Sequence, residues 1–264
     1  MKSLSCMMLT TNGPDRAKDR DEALRSIDKS NARWPYNRIL AVDQTCNIVD
    51  VCFHPLWKTV YGPNQGMARN MESGLKEING ELLFYCEDHV VLRRFPSIIA
   101  LEYMFSDPLP SGKSLGYVCY NTHVLDPGQL DADGRFHRFI QDPKNYITIV
   151  GEKLLIKTPG IRDAYYTNFP AAIVRTELFK KMLQWCFENR VGKAVEPSFC
   201  EAWFALGFDQ EYETAIYVLP DFQPEGKTFS DLHSSACITF VDNDPDMHAR
   251  KKSTTNANKG KLVW

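Results

Sequence analysis

The 264-residue sequence has no Cys-x-x-Cys pair and no strong excess of either charge. It also lacks an apolar run of the roughly 18 residues that a membrane span requires. Its 31 basic and 33 acidic residues leave a formal net charge of −2, so no long-range field favours nucleic acid or a membrane surface. The eight cysteines (Cys6, Cys46, Cys52, Cys86, Cys119, Cys186, Cys200 and Cys237) sit mostly in apolar runs, and the chain is too long for a disulfide-dense mini-protein. They read as free, mostly buried thiols of a reducing, cytoplasmic protein. Lys2 precedes only a short mixed run at residues 4–9, without a small-residue cleavage site, so the start reads as part of the fold and not as a secretory signal. There is no internal repeat.

The composition that remains is ordinary for a globular protein, 44% apolar and 24% charged. A chain of this length buries roughly three quarters of its unfolded surface without staples. Residues 3–9 predict a strand that runs into the turn Thr10-Thr11-Asn12-Gly13-Pro14. Residues 15–31 carry Ala17, Ala23, Leu24 and Ile27 on one side and predict an amphipathic helix. Residues 38–43 predict a second buried strand ending in Asp43, and residues 48–53 a third. Helical spacing through Met67, Met71, Leu75 and Ile78 predicts a helix over 65–79, closed by Gly80 as a C-terminal cap. Residues 81–86 predict a strand with Glu87-Asp88-His89 at its end, and residues 98–105 a helix.

This alternation predicts an α/β fold: a mixed, mostly parallel sheet flanked by helices in a single domain. Ligands of such sheets bind beyond the carboxyl ends of the strands, where Thr11, Asp43 and the Glu87 triplet would converge. The second half is less regular. Strands are expected at 115–120, 146–150 and 214–219, and helices at 176–189, with Thr176 as N-cap, and at 198–206. Residues 243–264 read as a polar, basic tail.

The run Gln65-Gly66-Met67-Ala68-Arg69-Asn70, then Gly74-Leu75, Gly80-Glu81-Leu82-Leu83-Phe84 and Glu87-Asp88-His89-Val90, resembles the GT-A glycosyltransferases of the family-2 type. In that family a Gly-x-Ala-x-Ala-Arg-Asn-x-Gly helix precedes a strand ending in a DXD-type acidic motif. The resemblance covers about the first hundred residues well and the remainder loosely. It implies a GT-A, Rossmann-like fold over residues 1–242, with a nucleotide-sugar-binding half at 1–105 and an acceptor-binding half at 106–242. It also implies sugar transfer from a nucleotide-diphosphate donor, a UDP-sugar, to a hydroxyl acceptor, with Mn²⁺ or Mg²⁺. The acceptor class, glycan, protein or modified nucleic acid, stays open. His89 replaces the family's second acid and is similar to the Asp-x-His motif of some branches, in which the histidine binds the metal.

The chemistry agrees with such a motif. The donor's diphosphate is anionic, and breaking the sugar–phosphate bond adds charge to the leaving oxygen. A divalent ion among carboxylate and imidazole ligands neutralises that charge, an effect of several kcal/mol. A mixed oxygen–nitrogen set suits Mn²⁺ better than Mg²⁺. Glu87 and His89, two apart on an extended segment, would point the same way.

By the same resemblance Thr10, Thr11 and Asn12 meet the nucleoside, with Arg16 in the same region, and Asp43 reads the base or ribose. Gln65 and Arg69 face the crevice, Arg69 meeting the diphosphate with its forked donors. Glu87 and Asp88 hold the donor, while Asp88, His89 and the late His233 are the metal ligands. Glu201 or Glu196 is the general base, Pro197 standing where a second acid would be. Tyr165, Tyr166, Asn168, Phe169, Trp185 and Trp203 form either an acceptor platform or core. Local readings stand beside these: Thr-Thr-Asn is ordinary turn chemistry, and Arg69 suits a helix surface. A non-catalytic nucleotide-sugar-binding module is the alternative function. A nucleotidyltransferase ranks below both, since residues 10–16 hold only one glycine.

Overall fold

The apolar runs of the first half are strands buried on both faces. The computed structural model describes residues 3–12, 16–30, 37–43, 55–62, 66–120, 135–156, 171–189 and 199–240. The strands are β1 (Leu4–Thr11), β2 (Arg38–Asp43), β3 (Lys58–Gly62), β4 (Leu82–Glu87), β5 (Val90–Leu92), β6 (Ser114–Cys119), β7 (Tyr146–Ile149), β8 (Glu152–Ile156), β9 (Ala171–Arg175), β10 (Tyr212–Val218) and β11 (Ile238–Phe240). Helices α1 (Ala17–Lys29), α2 (Met67–Leu75) and α3 (Ile98–Ser106) flank the first half, and Thr176–Asn189 and Phe199–Ala205 cover the second.

Among the described residues, nine strands form one sheet in the order β3-β2-β1-β4-β9-β6-β10-β8-β7, and β5 pairs with β11. Of these described strands only β9 and β8 run against the others, so the sheet is mixed and mostly parallel, as predicted. Alternation along β1 sends Leu4, Cys6 and Met8 into one core and Met7 and Leu9 into the other. β4 does the same with Leu82, Phe84 and Cys86 against Leu83 and Tyr85. Helix α1 closes the first face with Ala23, Leu24 and Ile27, and α2 closes the second with Ala68, Met71 and Leu75. Burying each large apolar side chain contributes about 1.5–3 kcal/mol.

Several sequence expectations change here. The third strand of the sheet is Lys58–Gly62, whereas residues 48–53 lie outside the described residues. Helix α2 stops at Leu75, with Lys76 as its C-cap, so Gly80 does not cap it. Gly80 instead lies against β1: its N–H donates to Ser5 Oγ at 2.9 Å, and a Cβ there would be 2.7 Å from Ser5 N. Glycine is required at position 80 by this close approach of two segments of the backbone. Thr176 is the first helical residue, and its hydroxyl donates to the Gly80 carbonyl at 2.6 Å. β7 ends at Ile149, and Val150 (φ 50°) and Gly151 (φ 80°) make the two-residue turn into β8.

The described cysteines Cys6, Cys86, Cys119, Cys186 and Cys237 are free and buried, as expected. Among the described residues, no helix is long and apolar enough to cross a membrane.

Candidate functional site

Parallel pairing aligns the ends of three strands. Thr11 of β1 lies opposite Asp43 of β2, and Leu9 opposite Glu87 of β4. The residues just beyond those ends therefore meet at one edge. The helices α1 and α2 begin at this same edge, each after a strand, and turn the positive ends of their dipoles toward it.

The centre of the edge is Asp88, which is 5% exposed. Thr10 Oγ1 donates to Asp88 Oδ2 at 2.7 Å, and Arg16 Nη1 pairs with Asp88 Oδ1 at 3.5 Å. Arg16 also reaches Asp19 at 3.9 Å. Asn12 N–H donates to the Asp43 carbonyl at 3.3 Å, and Asp43 is itself buried. Thr10, Asn12, Arg16, Asp43, Glu87, Asp88 and His89 are thus gathered on one rim, with Thr11 between them in sequence.

The triplet is not one extended segment. Glu87 ends β4, whereas Asp88 and His89 form the tight turn into β5. The turn, and not the pleat, brings the side chains together: His89 Nδ1 lies 3.4 Å from Glu87 Oε2 and 3.8 Å from Asp88 Oδ1. Two donors at such separations can share a divalent ion held at roughly 2.0–2.2 Å by imidazole and carboxylate. Among the described residues, no group of three or more His, Cys, Asp and Glu is arranged to hold a metal. His233 lies in the helix Phe229–Ser234, which leads into β11; the antiparallel register sets Ile238, at the helix side of β11, opposite Leu92, the end of β5 away from His89. Beneath the rim, burial first and then the Asp88 and Glu87 carboxylates push the Cys86 thiol well above its ordinary range.

Two residues outside the predicted set hold the rim. Asn70 Nδ2 donates to the Ala41 carbonyl at 2.9 Å and to the Thr10 carbonyl at 3.3 Å, clamping β1 to β2 at their ends. Its place in the Arg69-Asn70 motif is the signal that could have found it. Arg20, almost fully buried in α1, donates to the Thr11 carbonyl at 3.2 Å. Its signal is position: 20, 23, 24 and 27 form the inward stripe of α1.

Other predicted residues sit elsewhere or beyond view. Arg69 is exposed, pairs with Glu72 at 2.8 Å and stacks 4.2 Å over the Phe187 ring. Glu201 is exposed on Phe199–Ala205, whose inner side buries Phe199, Ala202 and Trp203. Trp203 is core, edge-on to Tyr117 and Phe208, and not an acceptor platform. Trp185 is partly buried against the same core. Gln65, Glu196, Tyr165, Tyr166, Asn168, Phe169 and the tail 243–264 lie outside the described residues.

No protein-family model and no curated protein matches the sequence. Solved structures are similar in fold. S. aureus TarS (1–349) in complex with UDP-GlcNAc matches 86% of this chain at 16% identity, with a TM-score of 0.48. GalNAc-T7 with UDP, GalNAc and Mn²⁺ matches 83% at 10% identity, with a TM-score of 0.50. The mannosyltransferase PcManGT from Pyrobaculum calidifontis, in complex with GDP-Man and Mn²⁺, matches 83% at 14% identity, with a TM-score of 0.46. The chain spans 60% of the TarS chain and 42% of the GalNAc-T7 chain. The likeness gives the fold, which is GT-A.

Proposed function

We propose that this GT-A chain is a glycosyltransferase that moves a sugar from a nucleotide-diphosphate donor, a UDP-sugar, to a hydroxyl acceptor. The observation that carries the reading is the convergence on Asp88 of Thr10, Arg16 and His89, contributed by three separate segments at the carboxyl edge of the sheet. In this reading Thr10, Thr11, Asn12 and Asp43 hold the nucleoside. Arg16 and the N-termini of α1 and α2 lie against the diphosphate, where fixed positive charge stabilises the leaving group. Asp88, His89 and His233 would hold Mn²⁺ or Mg²⁺, which when bound neutralises charge on the departing diphosphate. Gln65 borders the donor once it is seated, and Arg69 joins it only by leaving Glu72 and the Phe187 ring. Glu201 or Glu196 accepts the proton of the attacking hydroxyl. A reducing, cytoplasmic setting belongs to the same reading, supported by the free buried thiols.

The test is a panel of UDP-sugars with and without Mn²⁺, read by UDP release and by thermal shift. Donor-dependent UDP release is expected, with Asp88→Asn slower by on the order of a hundredfold or more. Absence of both UDP release and a thermal shift with every donor would overturn the reading. One observation favours a second reading, a nucleotide-sugar-binding module without turnover: both Asp88 oxygens already face protein partners, Thr10 and Arg16. Calorimetry that detects donor binding in a protein without UDP release would support that module instead.

A further inference from the structure

A groove of about 900 Å³ opens on the side of the sheet away from α2, between α1 and the chain from Val91 to Ile98. Its size falls within the range of ligand sites, roughly 300–1,000 Å³. One wall is a single stripe of α1: Glu22, Arg25, Ser26 and Lys29, spaced i, i+3, i+4 and i+7. The other wall carries Arg93 and Arg94 above a floor that includes Leu92, Phe95 and Pro96. Four cations thus face two carboxylates, Glu22 and Glu152, in a chain whose formal net charge is −2.

The cations of the second wall are fixed. Arg93 Nη1 donates to the Ser234 and Ala236 carbonyls at 3.0 and 3.2 Å. Arg94 grips the buried Glu152 through two bonds of 3.0 and 3.1 Å, and Tyr217 OH donates to the same carboxylate at 2.6 Å. The Arg94–Glu152 pair is thereby balanced within itself, with the guanidinium exposed at the groove, so the excess positive charge comes from Arg25, Lys29 and Arg93 against Glu22. Arg25 and Lys29 are exposed across the gap, and Arg25 Nε donates to the Asp21 carbonyl at 3.0 Å. The first turn of α3, capped by Ser97 accepting from Ala100 N–H at 3.1 Å, ends the groove with a further positive dipole. A fixed pair of guanidiniums opposite two adjustable cations, over an apolar floor of low dielectric, suits spaced oxyanions.

We propose that this groove binds a soluble ligand carrying more than one phosphate, at a site separate from the Asp88 rim and independent of the donor reading. Calorimetry with inorganic tripolyphosphate tests it on the full chain. Wild-type protein is expected to bind, and Arg25→Gln/Lys29→Gln to bind roughly tenfold or more weakly. Both side chains are exposed, so the variant should fold, which equal thermal midpoints would verify. The binding lost in that variant should persist in Arg16→Gln, whose change lies at the rim. Absence of wild-type binding, wild-type affinity in the double variant, or loss in Arg16→Gln alone would each overturn the proposal. Sedimentation with phosphatidylglycerol vesicles is the companion arm. Vesicle binding that depends on Arg25 and Lys29, with no tripolyphosphate binding, would assign the groove to a lipid surface and also overturn it.

Discussion

Thr10 and Asp88 are each readable from the sequence as rim residues, but the bond between them is not. They stand 78 positions apart, and only the parallel register of β1 with β4 brings them together. Arg20 escapes a linear reading because a charged residue in a helix normally marks the solvated face. Here it lies on the inward stripe and spends its donors on the end of β1. The Thr10 hydroxyl is the nearest thing to a test of this clustering. Thr10→Val leaves a buried carboxylate short of a donor and should lower stability by about 1–3 kcal/mol in urea unfolding. Thr10→Ser keeps the hydroxyl and should recover most of the loss; equal stability of the two variants would show that the bond contributes nothing.

At the level of elements, strands were the most readable feature, because a sheet covered on both faces turns β1, β2 and β4 into continuous apolar runs. Helix ends were not. Glycine after a helical pattern signals a cap and a tight crossing equally well, and at Gly80 it is the crossing against Ser5 that applies. Gly80→Ala should therefore destabilise the protein by about 1–3 kcal/mol, as overpacking against backbone does, measured by thermal unfolding. An unchanged midpoint would mean that the β1 crossing relaxes freely. The β7–β8 hairpin gives a change of opposite sign. Val150 is β-branched, exposed and at positive φ, ahead of Gly151, also at positive φ. Asn-Gly is the favoured pair for such a turn, so Val150→Asn should stabilise by roughly 1 kcal/mol. A lower melting temperature for that variant would contradict the turn assignment.

Across the whole molecule the core holds many weak acids in their neutral form. Burial is the largest cause that raises the thiols of Cys6, Cys86 and Cys237 and the phenols of Tyr85, Tyr117, Tyr120 and Tyr217. A group whose folded pKa is raised stabilises the fold fully below its unfolded pKa, and that contribution falls as pH rises toward the folded value. Stability should thus be flat near pH 7. It should then fall from about pH 8.5 as unfolded thiols ionise, and more steeply from about pH 10 as phenols join them. Urea unfolding at pH 7.5, 9 and 10.5 reads this directly, and a level profile would refute it. The same scale explains what the sequence hid. The first half alternates strand and helix as a parallel sheet must, so its architecture is legible. The second half departs from that rule, since β9 and β8 run backwards and strand order no longer follows chain order.

β9 carries a consequence for how the protein is made. It is the seam of the sheet, paired with β4 on one side and β6 on the other, yet it is residues 171–175 of the chain. A ribosome delivers β4 and β6 well before it. Until Ala171–Arg175 has left the exit tunnel, the apolar edges of β4 and β6 stand bare, each a template for pairing with a neighbouring nascent chain. The interval between those two moments of synthesis is when this protein most needs a chaperone.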